Sequence, residues 1–231
     1  MNIKVGTFIF PVINSYNLED DVTDIYIGNP SCKPKPCIII SVDHINKVAI
    51  IQDITYYKSC NINNSDFNRG EGGMQLLVKA SLKFLINEHP FIKKVYLTDK
   101  SYYNNIILPE KMLLTEGQTW YMKYFGAVPD TQTKSTLRKY LRIHKLYKEQ
   151  FQALPKEAWN EKNIRATLSE YTPYLKNHQL SGSSWYITKD KINGFDIPKF
   201  EILQNGGGIF KDFTTKMKQS KIINIWRSYP N

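Results

Sequence analysis

The sequence predicts an α/β (or α+β) fold built on a mixed central sheet. Three observations carry this. Short apolar, β-branched runs recur through the first hundred residues. One strongly covered helix lies between two of them. The hydrophobic content is 42% of 231 residues, enough for one large domain or two small ones with a buried core.

The elements follow in order. "KVGTFIF" (4–10) alternates and is β-branched, so it predicts a first strand. Residues 15–35, with "NLEDDVTD" and "NPSCKPKP", predict loop with one short helix. "CIIISV" (37–42) is an apolar run and predicts a buried strand, and "VAIIQDITYY" (48–57) predicts its antiparallel partner across the "DHINK" turn. Residues 58–73 are rich in Asn, Ser and Gly and predict a loop. Met74 to Glu88 predicts a helix. Met74, Leu77, Val78, Ser81, Phe84 and Leu85 keep the i, i+3, i+4 rhythm, while Gln75, Lys79 and Lys83 leave one narrow polar stripe. Pro90 bars its continuation. "KKVYLTD" (93–99) predicts the next strand, which completes a strand–loop–helix–strand unit of the kind that makes a parallel crossover.

Residues 101–112 give no clear pattern. "TWYMKYFGAVP" (119–129) predicts a short aromatic helix stopped near Gly126 and Pro129. Thr133 to Phe151 predicts a surface helix, with Leu137, Tyr140, Leu141, His144, Tyr147 and Phe151 on one face and Arg138, Arg142 and Lys145 on another, flanked by Lys134 and Lys148. His144 reads there as a packed histidine. "EKNIRATLSEYTPYL" predicts a further helix broken at Pro173. "SSWYITKD" and "FEILQ" predict strands, and a basic tail follows "NGGG" (205–208).

Charge divides the chain. Residues 1–127 hold 13 Lys/Arg against 12 Asp/Glu, and residues 128–231 hold 18 against 9. The net charge of +10 therefore belongs to the C-terminal part. This suits an acidic partner, whether nucleic acid, membrane surface or protein, and equally suits simple solubility. No apolar run approaches the roughly 18 residues needed to span a bilayer, and the N-terminus lacks the pattern of a secretory signal. The expectation is an intracellular protein. The three cysteines, Cys32, Cys37 and Cys60, are too few and too odd in number for a disulfide framework. With His44 they could be assembled as a zinc site, but the "KPKP" gap is not zinc-knuckle spacing. Three reduced thiols and no metal are expected.

Gly70, Gly72 and Gly73 precede the helix at Met74. Glycine lets backbone N–H groups approach a ligand closely, and the first amides of a helix have no intrahelical acceptor. A pyrophosphate there would meet both those amides and the positive end of the helix dipole. An ordinary turn explains the glycines as well. No Lys-Ser/Thr pair follows them, which excludes a Walker loop, and the spacing is not that of a dinucleotide-binding fingerprint.

The order hairpin, glycine loop, covered helix, strand, aromatic helix resembles the GCN5-related N-acetyltransferases (GNAT). "RGEGG", "LTDKS" and "EGQTWYMKYFGA" together look like the divergent members encoded by large DNA viruses. The resemblance covers residues 38–128. It implies a GNAT-like core in residues 1–130 and a basic, partly helical region in residues 131–231, whose strands could complete the core sheet. It implies acetyl-CoA as cofactor, held around Arg69, Gly70, Glu71, Gly72, Gly73 and Met74; Arg69 and Gly72 match the family's pyrophosphate loop, and Met74 departs from its Gly/Ala. Strand 95–99 would splay from its neighbour to admit the pantetheine arm. Tyr121 matches the tyrosine that protonates the leaving thiolate, with Tyr124 as the neighbouring alternative. Asp53 stands where the family often places an acid, the candidate general base. The other implied outcome is a fold that has lost its reaction. Such a protein would act as a virion or nucleic-acid-associated protein through its basic region, with Arg138, Arg142 and Lys145 as contact residues.

Overall fold

The computed structural model describes residues 1–28, 37–55, 60, 72–103, 105–171 and 180–204. They form a mixed α/β structure around one nine-stranded sheet. The strands are β1 (Asn2–Val5), β2 (Phe8–Asn17), β3 (Val22–Ile27), β4 (Ile38–Asp43), β5 (Val48–Ile54), β6 (Lys94–Asp99), β9 (Val128–Pro129), β10 (Ser183–Thr188) and β11 (Phe200–Leu203), while β7 (Tyr102–Tyr103) and β8 (Ile106–Ile107) make a separate two-stranded ribbon. The helices are α1 (Gly73–Glu88), α2 (Leu108–Glu116), α3 (Trp120–Phe125), α4 (Thr131–Ala153), α5 (Ile164–Tyr171) and α6 (Lys189–Asn193).

Across the large sheet the order is β11-β1-β2-β3-β4-β5-β6-β10-β9. Every neighbouring pair is antiparallel except β5 and β6, which run parallel. Parallel neighbours need a crossover, and α1 supplies it. Its buried residues include Leu77, Val78, Ser81, Phe84 and Leu85, the face that the periodicity predicts. The two strands of the C-terminal part lie in this same sheet. β10 fills the place beside β6, and β11 pairs with β1 at the far edge.

Two expectations are corrected at the N-terminus. The single strand predicted over 4–10 is two strands, because Gly6 takes a left-handed turn (φ 62°) between β1 and β2. Of the loop and short helix predicted over 15–35, residues 15–17 instead end β2 and 22–27 are β3, with a turn at 18–21 between them, while residues 29–35 lie outside the described residues. The alternation of Thr23, Ile25 and Ile27 inward outweighs the poor strand preference of the Asn and Asp residues around them. β2 also turns a corner. Phe8–Pro11 pair with β1, and Val12–Asn17 pair with β3, so β1 swings round to pack against α1.

The reduced-thiol expectation is corrected for two of the three cysteines. Cys37 and Cys60 form a disulfide with Cα atoms 5.8 Å apart, within ordinary disulfide geometry. Both are buried. Spacing in the chain cannot reveal this pairing, because the partners meet only once β4 and the segment after β5 are in place. Cys32 lies outside the described residues.

Candidate functional site

The parallel pair opens at its C-terminal end. β5 and β6 are in register over Ala49–Val95, Ile50–Tyr96 and Ile51–Leu97, and no further. β5 runs on to Ile54 and β6 to Asp99. The cause lies in the neighbours. The β4–β5 register shifts so that Ile40 faces Ile51 and Ile39 faces Asp53, which leaves Gln52 as the extra residue of a bulge. A bulge bends its strand. β6 meanwhile stays with β10 along its whole length, to Asp99 opposite Ser183. One strand bulges and the other is held, so the pairing stops short of Gln52–Ile54 and Thr98–Asp99, the wedge end of the pair. The side-chain nitrogen of Gln52 is buried with no hydrogen-bond partner among the described residues.

The same end of the sheet receives the start of α1. The helix runs back from the ends of β5 to the beginning of β6. His89 at its C-terminal cap meets His44, in the turn before β5, with ring centroids 5.6 Å apart. Its N-terminus must therefore lie at the opposite, wedge end. Gly72 caps it in the left-handed region (φ 78°), without a side-chain acceptor, and no acidic residue occupies the first turn. The positive end of the dipole is left without a protein anion in that turn. Of the predicted cofactor loop, Gly72, Gly73 and Met74 stand at this helix start; Arg69, Gly70 and Glu71 lie outside the described residues.

Tyr121 reaches the same end from α3. Thr119 caps α3 by accepting from the Met122 N–H at 3.3 Å, and Gly126 closes it in the left-handed region (φ 62°). This short helix turns Tyr121 inward, where it is 8% exposed. Trp120 stands edge-on to its ring at 5.0 Å. The Tyr121 hydroxyl lies near the Ser101 side chain. The Ser101 hydroxyl donates to Asp99 Oδ1 at 2.5 Å, and the Ser101 N–H donates to the same oxygen at 3.1 Å. Burial, and then the negative charges of Asp99 and Asp53, push the Tyr121 phenol well above its usual range. It stays protonated at any ordinary pH. Asp53 and Tyr121, both predicted, are thus brought within electrostatic reach of each other. Asp53 Oδ1 accepts from the Thr55 hydroxyl at 3.0 Å. Tyr124 is half-buried, its ring 5.9 Å from that of Trp120 and its centre 5.4 Å from the Lys123 ammonium.

The sequence reading misses two carboxylates here. Asp99 is fully buried. Burial pushes its carboxyl up to about 6 against the two hydrogen bonds from Ser101. Glu110, on the first turn of α2, is 2% exposed. It accepts from the Leu180 and Ser181 N–H groups at 2.8 and 2.7 Å, and burial raises its carboxyl too. Among the described residues, Asp99 Oδ2 and Glu110 Oε2 have no hydrogen-bond partner. Nothing in "LTDKS" marks Asp99 as buried; only its pairing opposite Ser183 on β10 does. His144 is a packed histidine, its Nδ1 2.7 Å from the Leu114 carbonyl near the end of α2.

Arg138, Arg142 and Lys145 are all exposed on α4. The helix buries Thr133, Leu137, Tyr140, Ile143 and Phe151 instead, packing on α2, β9 and β10. A shallow hollow of about 350 Å³ lined by Tyr102, Asn105, Asn160, Glu161 and Lys162 includes none of the wedge residues.

No protein-family model, curated protein or solved structure matches the chain. Among the described residues, no helix is long and apolar enough to cross a membrane.

Proposed function

We propose that the protein is an acyl-CoA-dependent N-acyltransferase of GNAT-like architecture, acting at the wedge between β5 and β6. One observation carries the reading: among the described residues, the only parallel strand pair in the sheet stops pairing after Ile51 and Leu97, at the end where a glycine-capped helix begins. The residues there fit acetyl-CoA. The amides at Gly72–Met74 would take its pyrophosphate, and the freed edges of Gln52–Ile54 and Thr98–Asp99 would pair with the amide-bearing arm. When bound, the cofactor supplies an activated thioester.

The chain's own residues then have separate roles. The Gln52 bulge frees backbone N–H groups that can face a developing oxyanion. Tyr121, held protonated by burial, donates its proton to a departing thiolate, for which a proton donor must sit within hydrogen-bond reach. Asp53 is the candidate acceptor of the amine proton. Acetyl-CoA titration with thermal unfolding as readout tests the binding half. A ligand at one hundred times its Kd raises stability by about 2.7 kcal/mol. Gly72→Asp should remove the shift. Asp tolerates the left-handed region better than most residues, and an added Cβ meets only Gln75 Oε1, at 3.4 Å. The fold should survive while the new charge repels phosphate. No shift in the wild-type protein at millimolar acetyl-CoA would sink the reading.

A second reading is favoured by α4. The fold could have kept its shape and lost its reaction, and the basic region 131–231 would then serve an interaction. The cations of α4 are exposed on the face opposite its packed one, as such a role requires.

A further inference from the structure

We infer that the outer face of α4 is a binding surface for the phosphate backbone of double-stranded nucleic acid, read without sequence specificity. This rests on the second reading, an interaction role for the basic region, and not on acyl transfer.

From Thr131 to Lys148 the chain contains six Lys/Arg and no acid. Lys134, Arg138, Lys139, Arg142, Lys145 and Lys148 are all exposed. Among the described residues, Lys134, Arg138, Arg142, Lys145 and Lys148 form no ion pair or side-chain hydrogen bond. Ion pairs lie elsewhere in the fold, between half-buried Lys4 and Glu201 and between Lys123 and Glu116. The nearest acids along α4 are Asp130, which caps the helix by accepting from the Thr133 N–H at 2.7 Å, and Glu149, beyond the break in helical geometry at Tyr147.

The spacing is regular. Lys134, Arg138, Arg142 and Lys145 follow each other at four, four and three residues, so they form one row along the axis. At 1.5 Å per residue the row is about 17 Å long. One strand of B-form DNA places a phosphate about every 3.4 Å along its axis, so the row can face about five of them.

The alternatives fit less well. An amphipathic helix that lies on a membrane inserts its apolar face, but the apolar face of α4 is buried against α2, β9 and β10. Single strands are held by exposed aromatic rings on which bases stack; Tyr140 and Phe151 are buried, and Tyr147 packs against Tyr171 at 5.6 Å. Protein docking needs a buried apolar or aromatic anchor, and among the described residues only Leu146 is an exposed large apolar residue on α4. What remains is a straight, unpaired row of cations, half of it arginine, whose planar fork suits phosphate.

The test uses the full chain and a short mixed-sequence duplex, with fluorescence anisotropy across a salt series from about 50 to 200 mM. Each neutralised phosphate contributes about −0.9 to the slope of log affinity against log salt. The triple variant Arg138→Gln, Arg142→Gln, Lys145→Gln should make the slope shallower by about 2.7, with unchanged circular dichroism. Arg138→Lys with Arg142→Lys keeps the charge and should keep the slope. The single variant Arg138→Gln, expected to change the slope by about 0.9, carries the test if the triple variant unfolds. A wild-type slope shallower than about −2, or a slope untouched by the glutamines, overturns the inference. Single-stranded DNA or polyglutamate bound as tightly as duplex, through the same three residues, also overturns it, while leaving the broader interaction role standing.

Discussion

Asp99 is the residue whose chemistry most constrains the wedge. Its folded carboxyl titrates at about 6, against 3.8 for the free group. The folded state therefore binds the proton more tightly than the unfolded chain, so stability falls as pH rises through that window and levels off above it. The shift corresponds to about 3 kcal/mol. Asp99→Asn keeps an oxygen that can accept from Ser101 and has no charge to bury. It should flatten urea-unfolding stability between pH 4 and 6.5 and exceed wild type above that, with a residual slope from Glu110. An unchanged pH profile would mean that Asp99 is solvated in solution. Tyr121→Phe makes a different prediction. If the acyl-transfer reading holds, turnover falls by ten-fold or more while acetyl-CoA affinity is nearly unchanged, because the hydroxyl acts only on the departing thiolate. Equal turnover would remove Tyr121 from the reaction. The aromatic helix that carries Tyr121 is legible in "TWYMKYFGAVP". Asp99, Ser101 and Glu110 are not, since a carboxylate in a polar loop and one sealed beneath β10 look alike in the chain.

Among the elements, α1, β4, β5 and β6 are legible because one periodicity dominates each. Leu77, Val78, Phe84 and Leu85 repeat at helical spacing, and Ile38–Ile40 form an unbroken apolar run. β3 is harder, since "VTDIYI" follows an acidic turn that masks its alternation. The wedge itself is an element-scale property. It follows from a register shift at Gln52 and from the grip of β10 on β6, and no local pattern encodes either. The Cys37–Cys60 disulfide ties the start of β4 to the segment that leads into α1, its ends separated by 23 positions along the chain. In the chain-entropy picture, closing such a loop stabilises by about 3 kcal/mol. Reduction with dithiothreitol should lower the urea midpoint accordingly, and the Cys37→Ser, Cys60→Ser variant should be insensitive to reductant. A midpoint indifferent to reductant in the wild-type protein would mean that the bridge does not form.

At the scale of the whole molecule, the chain places its chemistry and its charge apart. The buried carboxylates and Tyr121 gather at one end of the central sheet, and the cations lie along the outside of α4. That β10 belongs beside β6 is invisible at short range, since about 85 residues separate them, and pairing at that distance is settled by tertiary packing alone. The end of the β5–β6 pairing, with the start of α1, is the cofactor cleft we propose. Amide hydrogen exchange with and without acetyl-CoA tests it most directly. The claim predicts slowed exchange at Gly72–Met74, Gln52–Ile54 and Thr98–Asp99, with α4 unchanged. Exchange that stays the same at those positions under saturating acetyl-CoA, or protection confined to α4, would contradict it.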